Sequence, residues 1–379
     1  MNMNSGPLMC TRCVMDTTAE EIIFDDDGVC SFCHYFDEHI ESIIELSNSE
    51  DARKLLNEEV ASIKNRGRNK QFDAILGLSG GIDSSYLAYM SSQLGLRLLF
   101  VHVDTGWNTP ESEANVGNIV EKLGLELHVF NIDWDEMRDL QTSFYKASVK
   151  NCEIPQDHAF LAALYGVAEK YRVSYILTGG NAASESILPV SWGYNAADLH
   201  HLLAIQRRYG TVKLHQFPTM SFWQRYGYYP FLKGIKERHL LDRMPYNRAE
   251  AKRTLAKEFG WLDYGAMHYE SVLTRFFQGH YLPAKFGIDK RKAHLSSLIL
   301  SGQITKEEAL NELKKPPYPS EEQLQADKTY IAQKLGLSLY EWEEILALPP
   351  RAHDKLPSSR LLFGAKDRLV ELLGIRKKR

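Results

Sequence analysis

Cysteine is scarce in this chain and unevenly placed. There are five in 379 residues, four of them within the first 33, with Cys152 standing alone. That clustering excludes a disulfide framework spread through the chain and points to local chemistry at one end. No apolar run reaches the roughly 18 residues that a membrane-crossing helix needs. The opening MNMNSGPLMC lacks a basic region followed by an apolar core, so no secretory signal is expected and a cytoplasmic location is. Basic excess is also missing. Lys and Arg total 45 against 49 Asp and Glu, a net charge of -4, without the footprint of a nucleic-acid enzyme, so no nucleic-acid partner is expected. Only the last 29 residues are basic, nine Lys/Arg against three Asp/Glu, and they read as a solvated tail. Internal repeats and low-complexity tracts are absent as well.

What is present begins with the cysteines. CTRC and CSFC place Cys10, Cys13, Cys30 and Cys33 as two knuckles separated by sixteen residues. Two residues between paired cysteines let both sulfurs turn toward one ion, and four thiolates form the tetrahedral set of a structural zinc site. Ile22–Phe24 read as a short strand and Asp25–Gly28 as a turn, a hairpin that returns the second knuckle to the first. So small a ribbon draws its stability from the metal.

Residues 38–70 read as a charged helical linker. Apolar runs then alternate with helical patterns. Strands are expected at Phe72–Leu78, Leu98–Val103, Leu127–Ile132 and Ser174–Leu177, and helices at Ser84–Leu94, Glu111–Leu123 and His158–Tyr171. This order predicts an α/β fold with a doubly wound parallel sheet. After about residue 240 the strands stop. Thr305 with Glu308, Ser320 with Gln323, and Ser338 with Glu341 fit capping boxes, so 241–379 is expected to be mainly helical and to contribute to the substrate and ATP site. The expected units are 1–50, a zinc ribbon and the start of the linker; 51–240, the sheet domain; and 241–379.

The first strand runs into LGLSGGIDSSYL, residues 76–87. A strand that ends in a glycine-rich turn and opens a helix is an anion site, because backbone N–H groups and the helix N-terminus face the same point. Gly80 and Gly81 allow phosphate oxygens to approach the backbone, and Ser79, Ser84 and Ser85 offer hydroxyls. Asp83 would repel a bare phosphate but suits a bound Mg²⁺. The loop is neither GxxxxGK[ST] nor GxGxxG. The second strand ends at Asp104, which is placed to touch adenosine or to cap the next turn. The fourth ends in Gly179-Gly180-Asn181, with Glu185 shortly after.

The SGGxDS loop resembles the signature of the N-type ATP pyrophosphatases, the PP-loop superfamily. The segment around Asn181 and Glu185 is similar to an element of ammonia-dependent NAD synthetases, which implies Glu185 as a second Mg²⁺ ligand. MCTRCVMDTT, FDDDGVCSFC and SGGIDSS, together with GWLDYGAMHYESVLTRFF and LPAKFGIDKRKAHLSSLILSGQITKEEAL, resemble the bacterial N-acetyl sugar amidotransferases of surface-polysaccharide synthesis. That resemblance implies an ATP-dependent ligase. It would adenylate the carbonyl oxygen of an N-acetyl group on a nucleotide-linked sugar, replace it with ammonia, and release AMP and pyrophosphate. It further implies ATP, Mg²⁺ and structural Zn²⁺, a place in lipopolysaccharide or O-antigen synthesis, and a separate glutaminase subunit as the ammonia source.

Lys285, Lys290 and Arg291, in LPAKFGIDKR, are candidates for a clamp on the departing pyrophosphate. His158, beside Asp157, is a candidate general base or a capped helix start. His268 and Glu270 are candidate substrate or metal groups. The run FWQRYGYYPF (222–231), six aromatics in ten residues, is either core or a face for stacking a sugar or base. Two other readings remain open at this point. A PP-loop tRNA thiolase is disfavoured because the catalytic region has only Cys152. A non-catalytic zinc-ribbon adaptor is disfavoured by the intact loop.

Overall fold

The computed structural model describes residues 7–265 and 269–372. His268 lies outside the described residues. Five strands form one parallel sheet in the order β3-β2-β1-β4-β5. They are β1 (Ala74–Gly77), β2 (Leu98–Asp104), β3 (Glu126–Asn131), β4 (Tyr175–Leu177) and β5 (Lys236–Arg238). β1 pairs with β2 from Ala74 against Leu98, and with β4 from Ile75 against Ile176. Four of the strands lie at the expected places. β5 was not expected; it is a three-residue charged edge strand whose Lys236 N–H donates to Ser174 O at 2.9 Å.

Because side chains alternate across a strand, each central strand feeds two cores. Leu76, Leu98 and Phe100 face the helices Ile82–Gln93, Pro110–Leu123 and Arg248–Phe259, meeting Leu87, Ile119 and Leu255. Ile75, Leu99 and Val101 face the opposite way, onto Ala163 and Val167 of the helix Ile154–Lys170. Apolar runs buried on both faces are what a parallel sheet requires.

A third core holds the four cysteines together with Trp107, the helix Trp134–Ala147 and C-terminal side chains such as Phe276, Ile331 and Trp342. The N-terminal ribbon is therefore packed against the C-terminal helices. Lys306 Nζ donates to the carbonyls of Cys10 and Thr11 at 2.7 and 2.8 Å, and Lys292 pairs with buried Asp16. The expected hairpin is present as a single bridge, Phe24 with Cys30, with Gly28 in the left-handed conformation at φ 74°; a separate bridge joins Met9 to Asp16. Thr305 and Ser338 form full capping boxes, whereas Ser320 makes only the half that accepts the Gln323 N–H. Among the described residues no helix is long and apolar enough to cross a membrane.

Candidate active site

The turn after β1 sits at the carboxyl edge of the sheet. Gly80 holds φ 82°, and a Cβ there would run into the Ser112 carbonyl. Only glycine fits that position. The Gly80 carbonyl accepts from Trp261 Nε1 at 3.0 Å and from Asn115 Nδ2 at 3.4 Å, so the loop is held from both the sheet domain and the C-terminal region. Ser79 and Ser84 hydroxyls lie 3.1 Å apart, and Gly81 N–H donates to Ser79 Oγ at 3.2 Å. Gly179, at the end of β4, packs so closely that a Cβ would lie 2.7 Å from the Ser84 nitrogen.

These elements open on a cleft of about 400 Å³. Ser79, Gly81, Asp83, Ser84, Gly179 and Glu185 line one side of it. Asp83 is the centre of that side. Its carboxylate accepts from Arg248 Nη1 at 3.1 Å, from Asn181 Nδ2 at 3.2 Å and from the Tyr246 hydroxyl. Burial, then the Asp83 charge, pushes Glu185 up to about 8. Burial likewise raises Glu270, on the opposite wall, to about 7. The site therefore carries more acidic groups than its basic ones neutralise in the absence of a cation.

Residues from beyond position 240 close the cleft: Arg248, Tyr264, Glu270, Thr274, Gln278 and Lys290. The chain is folded back by the contact of the 105–109 loop with 270–272, where Thr109 N donates to Glu270 O at 2.9 Å and Val272 N to Trp107 O at 2.8 Å.

Several expected residues lie elsewhere. Lys285 is not at the cleft: its Nζ donates to Leu346 O at 2.9 Å and rests over the Tyr281 ring. Arg291 is bound to Asp289, 2.6 Å away, and to the Lys315 carbonyl. Of that basic cluster only Lys290 lines the cleft, because Gly287 at φ 67° ends one helix and the next begins in a new direction. His158 is a structural residue, which corrects its reading as a general base. It is fully buried, with Nδ1 on Ala196 O at 2.7 Å and Nε2 accepting from Met220 N at 3.1 Å. One position along a helix rotates about 100°, which turns His158 away while Asp157 faces the cleft. Ser85 is also turned away, buried among core side chains, and Gly80 contributes through its backbone alone. Asp104 caps its own turn, accepting from Gly106 N at 2.7 Å and from Asn108 Nδ2 at 3.3 Å. Gly180 sits beside His239, whose Nδ1 lies 3.0 Å from its carbonyl oxygen. The aromatic run 222–231 takes no part in the cleft. It forms most of a wide π-type helix, Gln224–Lys233, with Pro230 inside it and with Trp223 and Phe231 exposed.

Tyr246, Arg248, Glu153, Gln156 and Asp157 were not singled out from the sequence, although each reaches the site or the Asp83 carboxylate. The one available signal was helical spacing: Glu153, Gln156, Asp157, Phe160 and Leu164 all line the cleft at i, i+3, i+4, i+7 and i+11.

At the other end, Cys10, Cys13, Cys30 and Cys33 are fully buried, and their sulfurs lie within 4.8 Å of one another. Three of the six edges are 3.8 Å for Cys10–Cys33 and 3.7 Å for both Cys13–Cys30 and Cys30–Cys33. A tetrahedron with Zn–S of about 2.3 Å has edges of about 3.8 Å, so the residues fit the metal without rearrangement. Backbone N–H groups of Arg12, Cys13 and Cys30 point at Cys10 Sγ at 3.3 to 3.4 Å, which offsets thiolate charge.

Residues 270–368 match the family described as LPS biosynthesis protein WbpG-like, C-terminal domain, and residues 55–216 match NAD synthase. Among curated proteins, the tRNA-specific 2-thiouridylases MnmA of Yersinia pestis (strain Pestoides F) and Yersinia pseudotuberculosis serotype O:1b (strain IP 31758) are each 32% identical over 126 residues, 29% of this chain. That is 34% of their own length, so the chain spans about a third of the curated relatives it matches. Two solved structures are similar at low identity. The NH3-dependent NAD synthetase from Campylobacter jejuni subsp. jejuni NCTC 11168 is 18% identical, covering 36% of this chain and 59% of that one, with a TM-score of 0.28. The NMN synthetase from Francisella tularensis is 17% identical, covering 56% and 92%, with a TM-score of 0.29.

Proposed function

We propose that this chain, in which a PP-loop domain of the NAD-synthase type is joined to a WbpG-like C-terminal domain of lipopolysaccharide biosynthesis, is an ATP-dependent amidotransferase acting on an N-acetylated, nucleotide-linked sugar. The observation that carries the reading is the shared cleft. The anion-binding turn after β1 opens into a space whose other wall is supplied by the WbpG-like segment. ATP and its acceptor would meet there.

The chemistry follows from the walls. The backbone of Ser79–Gly81, the hydroxyls of Ser79 and Ser84 and the N-terminus of the helix Ile82–Gln93 hold the β- and γ-phosphates. Asp83 and Glu185 are the residues that would hold Mg²⁺, which supplies charge neutralisation on the phosphates. Arg248, next to Asp83, faces the pyrophosphate as its charge develops. The acetamido oxygen attacks the α-phosphorus, the bond to the β-phosphate oxygen breaks, and pyrophosphate leaves. An amide carbon is a poor electrophile. As an O-adenylated imidate it has AMP as a leaving group and accepts ammonia, giving an acetamidino group.

Ammonia would come from a separate glutaminase. Cys152 is ill-suited to a glutaminase role of its own: it is fully buried, its thiol donates to Val149 O at 3.4 Å, and burial pushes that thiol up to about 12. The same fact weighs against tRNA thiolation, the activity named for the MnmA relatives, since the described cleft walls contain no cysteine. The reading is tested by exchange of labelled pyrophosphate into ATP without ammonium. Exchange that depends on an N-acetylated nucleotide sugar supports it; exchange that depends on tRNA instead would replace it.

A further inference from the structure

The nucleotide reading uses one wall of the cleft and leaves the helix Ile154–Lys170 unexplained. Glu153 and Asp157 stand one helical turn apart on its cleft-facing stripe, with Gln156 between them. Thr274 and Gln278 of the WbpG-like segment line the cleft with Glu153 and favour its ionised form, and Lys290 faces both carboxyls. Burial raises both acids, Asp157 to about 7. Gln156 is only 3% exposed. Its Oε1 accepts from Thr105 Oγ1 at 3.0 Å, which orients the amide, and its Nε2 has no partner among the described residues. A buried donor left unmet is destabilising, so its position makes physical sense when a ligand brings an acceptor.

The wall thus presents one fixed donor beside two acceptors. A carbonyl-derived oxygen next to an incoming amine nitrogen is the complementary pair. We propose that Gln156, Glu153 and Asp157 form the station where ammonia meets the activated acetamido carbon, a role that rests on the amidotransferase reading. Gln156 Nε2–H donates to the imidate oxygen and holds the carbon over the acids. Glu153, across from Thr274 and Gln278, accepts an N–H of the nucleophile. The ammonia lone pair forms the new C–N bond as the C=N π pair of the imidate shifts onto its nitrogen. Asp157 takes one proton from the resulting ammonium group of the adduct. The C–O bond then breaks, and AMP leaves with that electron pair, giving the amidinium product. A base titrating near neutrality is matched to such a proton transfer.

The two half-reactions separate this inference from its premise. Asp157→Asn and Glu153→Gln are assayed for sugar-dependent pyrophosphate–ATP exchange without ammonium, and for amidine formation with ammonium. Exchange should stay within about twofold of wild type in Asp157→Asn, while amidine formation falls by about 100-fold, the ordinary contribution of a general base. Glu153→Gln should raise the KM for ammonium. Asp157→Glu, which keeps the carboxyl, should recover part of the lost rate. Amidine formation at the wild-type rate in Asp157→Asn overturns the inference. So does parallel loss of exchange and amidine formation, which would place Asp157 in folding or adenylation. Absence of sugar-dependent exchange in the wild type would instead overturn the amidotransferase reading itself.

Discussion

Replacing Arg248 with methionine keeps the aliphatic stem and removes the charge. Its Nη1 lies 3.1 Å from Asp83 Oδ2, and the two side chains are only 17% and 15% exposed. Removing one member of a buried ion pair costs about 3–5 kcal/mol. Asp83 retains the Tyr246 hydroxyl and the Asn181 amide, so the loss should be nearer about 2–3 kcal/mol. For a chain of this length that lowers Tm by about 3 °C in the nucleotide-free protein. In turnover, the variant loses a donor aimed at the charge that develops on pyrophosphate, and AMP release should fall by about 10²–10³-fold. Arg248→Lys should fall between the two, because an ammonium keeps the charge and loses the planar fork. Differential scanning fluorimetry and AMP quantification measure the two effects. AMP release within threefold of wild type would refute the placement of Arg248 over the phosphates. An unchanged Tm would refute the buried pair.

Asp83→Ala should abolish AMP formation while leaving zinc content, measured by inductively coupled plasma mass spectrometry, unchanged. Cys13→Ser should release the zinc and render the N-terminal ribbon sensitive to limited proteolysis, while the sheet domain stays resistant. Gly179→Ala puts a methyl 2.7 Å from the Ser84 nitrogen; it should destabilise by about 1–3 kcal/mol and raise the KM for ATP more than the KM for sugar. Stability should also depend on pH in two limbs, read from Tm between pH 3 and 9. Glu185, Glu270 and Asp157 are raised by burial, so the fold loses stability as pH climbs from about 4.5 to 8 and these groups must ionise; His158, His201, His294 and His353 are lowered by burial, the last two to about 3, so it also loses stability as pH falls below about 6.5. Mg-ATP should flatten the alkaline limb only, since it supplies the missing positive charge near Asp83 and Glu185.

What could be read from the sequence was local chemistry. Four cysteines in two knuckles carry in their spacing the geometry of a candidate metal site, and a glycine turn between an apolar run and a helix marks both the end of β1 and the candidate anion site. β1, β2 and β4 were legible as buried apolar runs, and β3 by Leu127, Val129 and Phe130 within a half-exposed edge strand. β5 was not, being three residues of mixed charge stabilised by its neighbour rather than by its own pattern. The partners of Asp83 were hidden for a different reason. Tyr246 and Arg248 reach it across more than 160 residues of chain, and no short motif joins them. Lys285 and Arg291 look like Lys290 in a string of letters, and only the turn at Gly287 separates their directions. His158 drew attention by its residue type, whereas the helical stripe beside it, Glu153, Gln156 and Asp157, held the cleft-facing groups.

The central claim is that the cleft joins ATP cleavage to amination of an acetamido group. The most direct measurement incubates the zinc-loaded full chain with Mg-ATP, ammonium and a panel of N-acetylated nucleotide sugars, with mass spectrometry on both product pools. The expected products are AMP and pyrophosphate together with one sugar in which a single oxygen has been replaced by NH. AMP formed with every sugar unchanged, or AMP formed only when tRNA is added, would contradict it.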